Sequence, residues 1–196
     1  MNAIPIAPKL DPPGAGLPLV ERLIANISLR LLRRRLDREA VDRWFDAEAK
    51  KITELVSKVR DDERSSPVLI KRLRGLEDSS RHWSVYMTLD HLRIVNLGIT
   101  GIIEELVSPN ETSIPETRIQ DVKPNPLADH TALDAFQSSV IQSRKRLTKL
   151  SNLVSKRRHC HPWFGPLDAK GFHTLLALHM RVHRKQLEHI AEALQP

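Results

Sequence analysis

The chain of 196 residues is long enough for one sizeable hydrophobic core, and its apolar content of 40% and charged content of 28% are ordinary for a globular protein. A single cysteine, Cys160, excludes an internal disulfide framework and a cysteine-rich zinc ribbon. The net charge of +7 would favour acidic partners, but the scarcity of aromatic residues for base stacking argues against a nucleic-acid partner.

The amino-terminal region shows no targeting or membrane signal. No segment reaches the uncharged apolar length of a membrane-spanning helix, and the first residues lack the basic start and apolar run of a secretory signal. The sequence therefore predicts a cytoplasmic protein without a membrane partner. Residues 1–17 are rich in proline and are expected to form a flexible arm, which leaves residues 18–196 as a single helical domain.

Helical periodicity predicts five helices separated by polar or proline-rich breaks. Asp37 and Ser84 are expected to cap the second and third helices, and Asp168 lies near the start of the last. The connection between the third and fourth helices is long for a compact domain, and such connections often act as lids or crossovers. The first four helices are expected at about Leu17–Leu36, Arg38–Val59, Trp83–Val107 and Thr131–Lys156.

The apolar positions of these segments follow the helical period, as expected of helices packed together. No strand-like alternation is found, so the predicted fold is all-α: a four-helix bundle plus an extra amino-terminal helix. In the first helix, where most arginines fall on other faces, the apolar positions are Val20, Leu23, Ile24, Ile27 and Leu31. In the fourth helix, the positions on this face are Leu133, Phe136, Val140, Ser143, Leu147, Leu150 and Val154.

The last predicted helix carries two histidines, His179 and His183, four residues apart within an apolar stripe. Residues at that spacing lie one above the other on one helix face, with Cβ atoms about 5–6 Å apart. Two imidazoles so placed can converge on one metal ion at about 2.0–2.1 Å each. The stripe consists of Phe172, Leu176, His179, His183, Leu187 and Ile190.

A third histidine, His91, lies within the apolar stripe of the third predicted helix. A single buried histidine usually makes one or two hydrogen bonds and has no further role. Three of them in core-facing stripes are harder to explain in that way, because each imidazole without a ligand carries a cost of desolvation. Three neutral imidazoles also leave a fourth coordination position open, which is typical of a catalytic zinc site.

Three motifs resemble the DinB/YfiT-like superfamily. The helix Trp83-Ser-Val-Tyr-Met-Thr-Leu-Asp-His91-Leu resembles its W-S-x-x-x-x-x-x-H-L helix. The segment His179-Met-Arg-Val-His183-Arg-Lys-Gln186-Leu187 resembles its later H-x-x-x-H-x-x-Q-L helix. The turn His161-Pro-Trp-Phe-Gly-Pro-Leu167 resembles the H-P-x-F-G-x-L turn of one branch. The resemblance covers about Arg38 to Leu194 in overall plan, and its specific residues occupy only these two helices and the turn.

The resemblance implies a four-helix bundle with a long crossover, often a homodimer, that binds a divalent metal such as zinc or nickel. By position, the ligands would be His91, His179 and His183. Members of the superfamily include metal-dependent thiol transferases, a thiol-dependent isomerase and proteins regarded as hydrolases, so a low-molecular-weight thiol is an implied cofactor. Many members have a second histidine beside the last ligand or an acidic residue near the first. Here Val182 takes the former place and Asp90 precedes His91, so the small-molecule substrate class is not transferred.

Other polar residues near the three histidines have less definite roles. Gln186, three residues after His183, could orient that histidine, or it could be a polar residue at the bundle edge. Glu48 falls within an apolar stripe and could approach a metal, although a snorkelling or rim glutamate is the commoner case. Asp90 lies about 100° around the helix from His91 and is expected to point away from the site. The Cys160-His161 pair offers a weaker alternative for a metal.

Two functions from different classes remain open. The first is a metal-dependent enzyme, either a hydrolase or a thiol transferase, because a metal held by three histidines can activate a water or hold a thiolate. The second is a non-catalytic helical bundle whose histidines are structural and which binds a partner through the basic segment 30–38.

Overall fold

The computed structural model describes residues 8–110 and 112–195 and is mostly helical, which agrees with the all-α prediction. Of the flexible arm predicted for residues 1–17, residues 1–7 lie outside the described residues. The five α-helices are α1 (Leu19–Arg35), α2 (Arg38–Val56), α3 (Val85–Val107), α4 (Thr131–Thr148) and α5 (Ala169–Leu194). Two short antiparallel strand pairs, which the sequence did not predict, are β1 (Val68–Leu69) with β2 (His82–Trp83) and β3 (His159–His161) with β4 (Gly165–Leu167).

Helix α5 is central to the packing. It contacts α2 and α3 along much of its length, while α4 packs against α3 and α2, and α1 lies on α5. Buried aromatic and aliphatic side chains fill the space between α2, α3, α4 and α5; the largest include Phe45, Phe136, Phe172, Leu89, Leu92 and Ile103. The packing of α3 on α5 therefore brings the histidines of the two helices together within an apolar interior. No helix in the described ranges is long and apolar enough to cross a membrane.

The predicted helix caps Asp37 and Ser84 are confirmed, and Asp168 caps α5 in the same way. Asp37, Ser84 and Asp168 each accept a hydrogen bond from the backbone N–H three residues further on, at 2.7, 3.1 and 2.8 Å. A side-chain oxygen in this position satisfies one of the free N–H groups of the first turn. Asp168 also forms an ion pair with Arg33 of α1. The starts of α3 and α5 are thus fixed, and α1 is attached to the start of α5.

Helix α4 is shorter than predicted and ends at Thr148 rather than Lys156. The guanidinium group of Arg38, at the start of α2, donates hydrogen bonds to the backbone carbonyls of Leu147 and Leu150. The Leu147 carbonyl also accepts the backbone N–H of Leu150, so a local turn and a distant side chain together satisfy the carbonyls at this end of the helix. The helix therefore ends at a tertiary contact, where the apolar pattern alone predicts that it continues.

The apolar face predicted for α1 is not the face that packs on the rest of the molecule. Leu29 is the buried residue of α1, and Asn26 donates a hydrogen bond to the Trp163 carbonyl at 3.2 Å. Helix α1 is thus held by its contact with α5 and by this hydrogen bond to the turn between β3 and β4. Large apolar side chains on its other face are 43–74% exposed, namely Leu19, Val20, Leu23, Ile24, Ile27 and Leu31.

The buried carboxylate of Glu77 joins three parts of the chain. It accepts hydrogen bonds from the backbone N–H groups of Gly14 and Gly16, at 2.7 and 3.2 Å, and from the ammonium group of Lys123 at 2.9 Å. Burial raises the pKa of Glu77, but hydrogen bonds from Ser79 and Lys123 outweigh it and leave the pKa below its usual value. The segment before α1 and the connection before α4 are therefore tied to the same loop.

Candidate metal centre

The structure brings together the three histidines that the sequence singled out. His91 comes from the first half of α3, and His179 and His183 come from consecutive turns of α5. The Nε2 atom of His91 lies 3.1 Å from Nε2 of His179 and 3.1 Å from Nε2 of His183. All three ligand nitrogens lie within 4.8 Å of one another. Helical spacing places the α5 pair on one face, and the packing of α3 on α5 adds the third ring.

Hydrogen bonds fix which ring nitrogen carries the proton in two of the three histidines. Nδ1 of His91 lies 2.6 Å from the carbonyl of Val122, and because a carbonyl only accepts, Nδ1 must be the N–H. Nδ1 of His183 lies 2.7 Å from Oε1 of Gln186. The amide nitrogen of Gln186 donates to the Ser80 carbonyl at 2.7 Å, so its oxygen faces His183 and also accepts. Both histidines therefore present an Nε2 lone pair to the centre.

The contact between Nε2 of His91 and Nε2 of His183 consequently has no hydrogen to share. Two neutral acceptor nitrogens face each other at 3.1 Å in a buried site. A proton on Nε2 of His179 would serve its own contact with His91 and would leave the contact between His91 and His183 unsatisfied. Unpaired acceptors in a buried site are costly. A cation between the three nitrogens satisfies all of them at once.

The spacing of the nitrogens suits a metal ion. Ligand distances of 2.0–2.1 Å give a separation between neighbouring nitrogens of about 3.3–3.4 Å at a tetrahedral angle and about 2.9 Å at a right angle. The observed 3.1 Å lies between these values. Nδ1 of His179 is buried and has no hydrogen-bond partner in the described part of the chain. This ring is therefore held by packing, and its tautomer is free to follow the ligand.

Burial keeps all three rings neutral. It lowers the pKa of His91 to about 4, and the positive charge of Lys123 adds to the effect. It also lowers the pKa values of His179 and His183 well below their usual range, and each of the two is further disfavoured as a cation by its histidine neighbours. A protonated imidazole is thus a poor way to relieve the lone-pair contact near pH 7. Neutral imidazole is also the form that binds a metal.

Acid is expected to destabilise the metal-free protein before its carboxylates titrate. The pKa of His91 is about 4 in the folded chain and about 6.5 when unfolded, so the unfolded chain binds more protons in this window. The free energy of unfolding therefore has its full value above pH 6.5 and decreases as the pH falls from 6.5 toward 4, because the unfolded chain then takes up a proton that folded His91 does not. We expect the free energy of unfolding to fall by up to about 1.4 kcal/mol per pH unit for each such histidine. Urea titrations with a chelator at pH 7, 6 and 5 measure this slope, and a flat profile would contradict it.

Trp83 forms one wall of the histidine cluster. Its ring is nearly parallel to that of His183, with 6.0 Å between centroids and an angle of 9°, and lies 5.0 Å from the ring of His91. The ammonium group of Lys123 lies 5.3 Å from the centroid of the same indole. Trp83 precedes the Ser84 cap of α3, so the start of this helix places the aromatic ring against the histidines.

The three histidines line a cavity of about 790 Å³. Such a volume suits a small organic molecule, and mainly apolar walls with a few polar groups are typical of ligand sites. Trp163 and Phe164, which lie in the turn between β3 and β4, contribute to the walls. Residues that form the apolar lining include Ile24, Ile94, Val95, Ile99, Ile102, Trp163, Phe164 and Leu178.

The charged side chains that line the cavity are mostly paired with one another. Glu21 of α1 forms an ion pair with Arg72, and Glu77 forms one with Lys123. Within the described residues, Arg74 is the charged lining residue without an ion pair, and it is exposed. The cavity thus presents little uncompensated charge beside its histidines.

Two carboxylates considered from the sequence do not join the cluster. Glu48 is buried between α2 and α5, where it accepts hydrogen bonds from the guanidinium group of Arg184 and from the indole of Trp44. It does not line the cavity, so a metal-facing role for Glu48 is not supported. Asp90 is bound by Arg93 at 2.8 Å and points away from the histidines, as predicted.

Gln186 performs the orienting role considered for it. Replacement by leucine would leave Nδ1 of His183 and the Ser80 carbonyl without their hydrogen bonds. Partners of this kind typically contribute 10–100-fold to metal affinity. We therefore expect Gln186→Leu to raise the Kd for zinc by about 10–100-fold. Competition with a chromophoric chelator measures the change, with Gln142→Leu, an exposed glutamine of α4, as the matched control. Equal Kd values for the two variants would contradict this role.

Val122 and Ser80 were not found from the sequence, although both contribute hydrogen bonds that fix the histidine tautomers. They act through backbone carbonyls, which every residue has, so no residue type marks them. Trp83 lies eight residues before His91 in the sequence, and this closeness was the one available indication that an aromatic ring packs against the histidines.

The comparisons with known proteins add no relative. No protein-family model, no curated protein and no solved structure matches this chain. The interpretation of the site therefore depends on its own geometry and on the motifs in the sequence.

Proposed function

We propose that this chain is a divalent-metal protein of the DinB-like type, in which His91, His179 and His183 hold the ion. In this proposal α2 to α5 form the four-helix bundle, and the connection between α3 and α4 is its long crossover. The observation that carries the proposal is the 3.1 Å contact between Nε2 atoms of His91 and His183, both of which lack a proton. Zinc and nickel are the favoured ions, since both accept imidazole ligands.

We propose further that the site is catalytic, either as a hydrolase or as a thiol transferase. A metal held by three neutral imidazoles supplies a Lewis acid that activates water for hydrolysis or a thiolate for transfer. The residues of the chain hold and orient the three rings through Val122, Gln186 and Ser80. The apolar walls exclude bulk water and receive the body of a small substrate, since ligand cavities commonly combine such walls with a few polar groups.

Metal content tests the first part of the proposal. The protein is purified without a histidine tag, stripped with a chelator and titrated with zinc or nickel. We expect one ion per chain. The absence of saturable binding of either ion would overturn the proposal, and a folded protein that binds neither would support the alternative of a helical interaction protein with structural histidines.

The need for a thiol separates the two reactions. The metal-loaded protein is incubated with a panel of generic esters and electrophiles, with and without a low-molecular-weight thiol. Turnover that requires the thiol supports a transferase, whereas thiol-independent release of product supports a hydrolase. Loss of turnover after chelation and its return with the metal would tie either activity to a bound metal ion.

A further inference from the structure

A fourth histidine, His161, lines the same cavity from the end of β3. The backbone N–H of Trp163 donates a hydrogen bond to its Nδ1 at 3.1 Å. An atom that accepts this bond carries a lone pair, so the neutral ring has its proton on Nε2. The ring is held among aromatic side chains, with centroids 4.9 Å from Phe164 and 6.4 Å from Phe172. The hairpin turn thus fixes both the position and the tautomer of His161.

This tautomer is opposite to that of His91 and His183. Those two rings turn a lone pair toward the centre, whereas the free atom of His161 is an N–H donor. His161 and its neighbour Cys160 do not belong to the group of close ligand atoms, so the alternative metal site considered from the sequence is not supported. In the described residues, His161 makes a hydrogen bond through Nδ1 only, and its Nε2 is not among the fully buried polar atoms, so this atom is accessible to a ligand.

Burial lowers the pKa of His161 to about 4, which keeps the ring neutral near pH 7. Beside the three histidines, the cavity lining therefore includes an uncharged N–H donor, Nε2 of His161, whose direction is fixed by the hairpin turn. A donor in apolar surroundings is stabilised when a ligand supplies the acceptor. The ion pairs between the charged lining residues leave little to attract a charged ligand at this point.

We propose that the substrate of this cavity is an uncharged, mainly apolar molecule with a carbonyl group, and that Nε2–H of His161 binds the carbonyl oxygen. This inference rests on the proposed function of the same cavity, because it names the substrate class and a residue that touches the substrate. The apolar walls receive the body of the molecule. The donor turns the carbonyl in one direction and withdraws electron density from it, which favours attack on the carbonyl carbon.

The test uses two probes of the same shape, acetophenone and α-methylstyrene, which differ in having an oxygen acceptor or a methylene group. Binding is measured by NMR titration of the protein in its metal-free and zinc-loaded forms. We expect wild type to bind acetophenone about 3- to 10-fold more tightly than α-methylstyrene, as one net hydrogen bond allows. His161→Phe should bind both probes equally and should keep its zinc, whereas His189→Phe, on the exposed side of α5, should behave as wild type.

Three outcomes overturn the inference: wild type binds neither probe, wild type binds both equally, or His161→Phe keeps the preference for acetophenone. If His161→Phe fails to fold, His161→Leu takes its place and should likewise bind both probes equally, because its side chain has no donor. Nitrogen NMR of the histidine rings adds a readout that needs no ligand, since it should show the proton of His161 on Nε2. A protein that prefers acetophenone but binds no metal would refute the proposed metal function and leave the donor role of His161 standing.

Discussion

Replacement of His91 or His183 by alanine is expected to abolish stoichiometric metal binding. Each variant removes one of three nitrogens that lie within 4.8 Å of one another and leaves two imidazoles, which do not make a stable site in competition with water. Because loss of an outer hydrogen-bond partner already lowers affinity 10–100-fold, loss of a ligand should raise the Kd for zinc by more than about 100-fold. Elemental analysis of the purified variants and chelator competition measure the change.

His189→Ala is the matched control for these ligand variants. It removes an imidazole from the same helix, but its side chain is 44% exposed and lies outside the cluster. It should bind one ion per chain with the affinity of wild type. Retention of the metal by both ligand variants would show that the three histidines are not the site, whatever the activity of the protein.

Replacement of Arg184 by methionine is expected to lower the free energy of unfolding by about 3–5 kcal/mol. The guanidinium group of Arg184 is the charged partner of Glu48, which is 3% exposed between α2 and α5. Without it, the carboxylate keeps only the indole N–H of Trp44, at 3.2 Å, and remains buried without a positive charge. Urea denaturation at pH 7 measures the loss.

A second substitution identifies the cause of that loss. The double variant Glu48→Gln/Arg184→Met has no buried charge, so we expect it to recover most of the stability. Arg181→Met, an exposed arginine of α5, should change the stability by less than about 0.5 kcal/mol. A loss of the same size in the single and double variants would mean that Arg184 acts through packing rather than through its charge.

The parts of the site that depend on residue type could be predicted from the sequence. Histidines at helical spacing in apolar stripes indicated His91, His179 and His183, because a core-facing imidazole differs from its apolar neighbours. Asp37 and Ser84 were recognisable as caps, since side-chain oxygens at those places satisfy the free N–H groups of the first turn. These signals are local, and each involves residues within one or two helical turns.

The remaining features depend on contacts between distant residues. Arg38, more than a hundred residues earlier, binds the backbone carbonyls at the end of α4, and Val154, the last position of the predicted apolar face, is 80% exposed. The apolar side chains of α1 are largely exposed, although Ile24 lines the cavity, and α1 meets the start of α5 through the Arg33–Asp168 ion pair. Periodicity shows that a helix has an apolar face, but it does not show which neighbour that face meets.

The connection between α3 and α4 has a practical consequence for protein engineering. It reaches His91 through one carbonyl, that of Val122, at the end of the single helical turn Ile119–Val122. Residues 113–116 before that turn form no helix or strand and are largely exposed. A tag or a fluorophore inserted there should leave the chain's ligand geometry intact. A deletion within 119–122 would instead move the Val122 carbonyl away from Nδ1 of His91, and the His91 ring could then rotate. This short turn is therefore the part of the connection to preserve.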